Sequence, residues 1–146
     1  MSTGLPVFDT TVQETNEWLK AVQAKLPPCS RQEAYGALRA VLHVLRDRLP
    51  MDAALGLSAQ APMLVRGFML EGWRPGGGPS DIHDPQDFAA SVAAALPRTF
   101  PRQPNEVAAA VFAALGEQLD PGEAAKLEAY LPRSFREAWP IAPRGD

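Results

Sequence analysis

Fifteen prolines cut this chain into short runs, and within the runs apolar residues recur at helical spacing. A proline ring cannot continue the helical hydrogen-bond ladder, so each one ends a helix or opens the next. No segment sustains a period-two alternation, so no sheet is expected. The chain is read as all-α, a compact bundle of about seven to eight helices.

The individual helices follow from local signals. Phe8, Val12, Leu19, Val22 and Leu26 predict one apolar face, ended by Pro27 and Pro28. Ser30-Arg31-Gln32-Glu33 is a capping box, and Leu38, Val41, Leu42, Leu45 and Leu49 form the stripe of the helix it opens. Pro50 stops that helix. A shorter one is expected from Ala53 to Gln60, and another from Pro62 to Trp73. Arg74–Pro79 reads RPGGGP, expected to be a mobile connection. Asp84-Pro85 and Asp120-Pro121 each pair a capping carboxylate with a first-turn proline. Their helices carry Phe88, Val92 and Leu96, then Ala124, Leu127 and Leu131. Between them lies a helix with Val107, Val111, Leu115 and Leu119, and Pro132 opens a last one with Phe135 and Trp139.

The two halves align without a gap at a shift of 70 residues. Leu45 meets Leu115, Leu49 meets Leu119, Leu57 meets Leu127, Pro62 meets Pro132 and Arg66 meets Arg136. The expected organisation is a single domain over 1–146, built from two pseudo-repeated helical halves. The halves span 8–74 and 84–139, with a Gly/Pro-rich connection at 75–83 and a frayed tail at 140–146.

Composition narrows the class of function. The 46% hydrophobic and 21% charged content is that of an ordinary globular chain. A net charge of -3 argues against a dedicated nucleic-acid binder. Cys29 is the only cysteine, so no intrachain disulfide forms, which suits a reducing compartment. The first residues lack the basic-then-apolar order of a signal peptide, and no apolar run reaches membrane-spanning length. A cytoplasmic protein without membrane association is expected.

The stretches ALRAVLHVLRDRLP (Ala37–Pro50) and SAQAPMLVRGFMLEGWRP (Ser58–Pro75) resemble a bacterial family, domain of unknown function 2267. So do TVQETNEWL (Thr11–Leu19) and GEAAKLEAYLPRSFREAWP (Gly122–Pro140). The resemblance implies a small helical bacterial protein and brings no catalytic residue. The chain departs from the family pattern at Ala61, where leucine is commoner, and at Met69, where an aromatic is commoner.

Candidate ligand- or partner-binding residues are Arg39, His43, Asp47, Arg66 and Arg136. The first three share one face at i, i+4 and i+8; they suit a polar ligand, or equally a solvated face with charge pairing. Arg66 and Arg136 are equivalent under the 70-residue shift. Their planar forks suit helix C-terminal carbonyls or a carboxylate such as Glu71 or Glu137. Convergence on one anion at the seam of the halves is the sharper alternative.

Asp81, His83, Asp84 and Asp87 are too few in histidine, and wrong in spacing, for a metal loop. Cys29 sits at a helix N-terminus, where the dipole favours thiolate. No catalytic residues, cofactor or metal are expected. The reading is a non-enzymatic binding or scaffolding module for a protein or small ligand of unknown identity, in an unknown oligomeric state. The alternatives are a nucleic-acid-associated regulator using Arg39, Arg46, Arg48 and Arg66, and an enzyme whose site is not legible in one sequence.

Overall fold

The computed structural model describes residues 2–142, and among them the regular structure is eight α-helices and one 3-10 turn (Pro75–Gly77), with no strand. They are α1 (Pro6–Lys25), α2 (Arg31–Arg48), α3 (Met51–Gln60), α4 (Met63–Leu70), α5 (Pro85–Ala95), α6 (Pro104–Gln118), α7 (Pro121–Ala129) and α8 (Arg133–Ala138). None of the described helices is long and apolar enough to cross a membrane.

The starts follow the capping chemistry read from sequence. The Ser30 hydroxyl accepts from the Glu33 amide at 3.0 Å, and the Glu33 carboxylate accepts from the Ser30 amide at 2.9 Å. Asp84 accepts from the Asp87 amide, and Asp120 from the Gly122 amide. Each pairing satisfies amides that have no partner within the helix. Pro62 and Pro132 stand one residue before α4 and α8, as N-caps rather than first-turn residues.

The long helices α1, α2 and α6 pack on one another, and α5 closes over α2 and α6. Their buried apolar residues form one continuous cluster. In the second half Phe88, Phe112, Phe135 and Trp139 meet edge-on or tilted at ring separations of 5.4–5.9 Å. That geometry sets positive ring edges against negative faces. The Trp139 indole also donates to Asn105 at 3.1 Å.

Four expectations change. Phe8 and Val12 are 49% and 40% exposed, because α1 turns Thr11, Thr15 and Trp18 inward instead. Helix α4 stops at Leu70 rather than near Trp73, since Gly72 takes a left-handed turn at φ 73°. The connection at 75–83 is anchored beyond its glycines: the Ser80 amide donates to the Asp47 carbonyl at 2.6 Å, and Arg48 donates to the Ile82 carbonyl. The tail does not fray from residue 140. Ile141 is only 4% exposed, and the amides of Ile141 and Ala142 both donate to Glu128. The remaining tail residues, 143–146, lie outside the described ones.

Candidate functional site

The face of α2 carrying Arg39, His43 and Asp47 is not simply solvated. The end of α4 lies against it. A helix end leaves carbonyls without intrahelical partners, and this one takes its donors from α2. Arg46 is 7% exposed, and its Nη1 donates to the carbonyls of Met69 at 2.6 Å and Glu71 at 2.8 Å. Its Nε donates to Asp47 at 3.1 Å, which brings a carboxylate to the buried charge. Arg39 reaches the Glu71 carboxylate at 2.9 Å from the rim.

His43 belongs to the same arrangement. Its Nε2 lies 2.7 Å from the Phe68 carbonyl, which can only accept. The neutral ring is therefore the Nε2–H tautomer, and Nδ1 is left as an acceptor. Burial pushes the His43 pKa below its ordinary 6.5; the hydrogen bond to Phe68 opposes this, Arg46 and Arg39 reinforce it, and Asp47 opposes it.

Three clefts follow one another along this face. The first lies between Tyr35 and Arg39 of α2 and the Pro97–Pro101 loop, with Phe100 on its far wall. The second, about 380 Å³, is lined by His43, Arg46 and Asp47 with Ser80, Ser91 and Ala95 opposite. The third, about 540 Å³, opens between the end of α2, Trp73 and Arg74. Ala95 lines both the first and second; Arg46, Asp47 and Ser80 line both the second and third. The clefts thus adjoin one another along α2.

The other candidates fall elsewhere. Arg66 donates its Nε to the Ser58 carbonyl at 3.0 Å, with Nη2 near the carbonyls of Ala59 and Ala61, so it caps α3. This is the structural role that a planar fork suits. The carboxylates offered as its partners are paired elsewhere, Glu71 with Arg39 and Glu137 with Arg133. Arg136 stands on the exposed side of α8. The seam between α3 and α7 holds a cleft of about 100 Å³ lined by Leu57, Leu119, Leu127 and Tyr130, and neither arginine lines it.

Arg48 and Arg39 are also held by protein groups, so the four arginines of the nucleic-acid reading are each engaged internally. Asp81 pairs with His83 at 2.7 Å, and no group of three metal-ligating side chains occurs among the described residues. At Cys29 burial raises the thiol pKa, Glu33 raises it further and Arg102 opposes, which reverses the thiolate expectation.

A family model described as an uncharacterized conserved protein, domain of unknown function 2267, matches residues 15–138. The chain belongs to this family. No curated protein matches it. In this member of domain of unknown function 2267 Ala61 and Met69 are interior positions. Ala61 is buried, and Met69 is wholly enclosed with its carbonyl on Arg46. Sequence reading passed over Ser80 and Ala95 and gave Arg46 no separate role. The signal that could have found Arg46 and Ala95 is the 70-residue register, which sets them beside residues of opposite character.

Proposed function

We propose that this member of domain of unknown function 2267 is a non-enzymatic binding module of two pseudo-repeated halves, and that its partner lies in the groove along α2. The repeat is supported by element ends. α1, α2, α3 and α4 end or begin at Lys25, Arg48, Met51 and Met63; α5, α6, α7 and α8 do so at Ala95, Gln118, Pro121 and Arg133, each 70 residues on. Two copies of one unit give an internal comparison of what the fold itself needs.

The observation that carries the proposal is the pair Arg46 and Gly116, which share a register position. A Cβ on Gly116 would sit 2.0 Å from the Ile141 carbonyl oxygen, so α6 and the following segment touch backbone to backbone. In the first half the same contact is made at a distance, by the Arg46 guanidinium on the Glu71 carbonyl. Arg39 and His43 likewise face Ala109 and Ala113 in register, and Ala95 faces Lys25. Lys25 pairs with Glu117 across the second copy's cleft, while Ala95 leaves the first copy's side open. The second half's equivalent cleft, about 300 Å³, is lined by Ala113 and Gly116 where the first half has His43 and Arg46, so the polar lining is an addition to the fold, and additions of this kind suit recognition.

The test is Ala95→Lys, which copies the second half's residue onto an exposed site beside Asp47. The variant is expected to fold as the wild type does while losing proteins that co-purify with the wild type. An unchanged set of co-purifying proteins, or none with either form, overturns the proposal.

A further inference from the structure

We infer that the exposed apolar face formed by the first turns of α1 and the start of α4 is the contact for a second copy of this chain, in a twofold dimer. Leu5, Phe8 and Val12 follow one another at helical spacing on α1, with Val7 beside them. The Leu64 amide donates to the Thr11 hydroxyl at 3.2 Å, which sets Met63 and Leu64 against the same turns. These six side chains are 40–50% exposed. Together they leave about 500 Å² of apolar surface in one place, toward the upper end of what a monomer carries.

The fold itself does not ask for this face. On the two-copy reading α1 and α5 end in register, but α1 spans 20 residues and α5 11, so the first turns of α1 have no counterpart. Met63 and Leu64 fall on Arg133 and Ser134, so the same place in the second half is polar.

Area and charge then point to a second copy. A stable dimer covers about 800 Å² on each partner, of which about two thirds is apolar in homodimers, and the face supplies about that much apolar surface. A twofold contact brings each group near its own copy, so an unpaired charge would meet its like. Asp9 is the one charged residue in the stretch 5–12, and its carboxylate already accepts from the Thr3 amide at 2.6 Å and the Ser2 hydroxyl at 3.2 Å. None of the six residues lines a cleft described above, so the face offers no socket for a partner's anchoring side chain. An exposed helix ridge suits the ridges of another helix, and a copy of α1 brings them at the same spacing.

The test is sedimentation velocity on the whole chain. One variant is Met63→Arg, Leu64→Ser, which copies the second half's residues; the other is Phe8→Glu. All three positions are about half exposed, so both variants are expected to keep the circular dichroism of the wild type. At about 100 μM the wild type is expected at twice the chain's 15.7 kDa, and both variants at the single mass. A wild type of single mass at that concentration, or a dimer that persists in either variant, overturns the inference. Mass that grows beyond two chains with concentration also overturns it, because a twofold contact closes on itself. The dimer is expected to survive Ala95→Lys, so this inference and the binding role of the α2 clefts fail separately. Loss of the dimer in that variant would move the contact to α2 and overturn the inference.

Discussion

Two positions, Gly116 and His43, act through their immediate surroundings. Gly116 has no substitute, because any Cβ would collide with the backbone of Ile141. Gly116→Ala should cost about 1–3 kcal/mol through forced displacement of the docked tail, measured by urea denaturation. Limited proteolysis should also show earlier cleavage near Trp139–Ala142. His43 gives a pH signature. Its pKa is lower in the folded protein than in the unfolded chain, so between the two values the unfolded chain binds more protons. The stabilisation is whole above the unfolded value near 6.5 and is lost as pH falls through the folded one. His43→Gln keeps a donor for the Phe68 carbonyl and should flatten stability against pH in that window. A wild-type slope that survives in the variant would assign the effect to other groups. Neither role is legible along the chain: His43 looks like a surface residue until Phe68, 25 positions away, is set on it.

At the scale of elements, the recurring device is an arginine from one segment closing the end of another. Arg46 does this for α4, Arg66 for α3, and Arg102 for α1 through the carbonyls of Leu26 and Pro27 at 3.0 and 3.1 Å. The three differ in burial, so they should differ in cost. Arg46→Met should destabilise by about 2–4 kcal/mol, since it strands buried carbonyls. Arg66→Met, more exposed, should cost about 1 kcal/mol or less; paired thermal melts would check the ranking. Helix starts were legible because their caps lie within three residues, as at Ser30 and Asp84. Ends set by prolines, as before Pro27 and Pro50, were legible too, whereas the end of α4 was not, because the donors for its carbonyls come from α2. The same distinction explains Phe8 and Val12: periodicity marks an apolar face but not whether anything covers it.

At the scale of the molecule, the buried apolar residues of both halves belong to one cluster, with α1 packed on α6 and α2 on α5. Each half borrows its covering helix from the other. Unfolding in guanidinium should therefore be one transition, with helical circular dichroism and tryptophan emission coincident. Two separable transitions would mean that the halves stand alone. The helix count was within reach of sequence because prolines punctuate the chain. The groove was not, because it is the space that Arg46 holds open and Ala95 leaves unfilled, and neither residue is unusual in a linear reading. On the two-copy reading, Gly116 and Lys25 form the plainer mould from which the first half departs. A hybrid chain carrying the second half's residues at these positions in both copies would be a mute form of the protein, with the same skeleton and without the polar lining. It would serve as a matched blank for whatever the living cell attaches to the natural one.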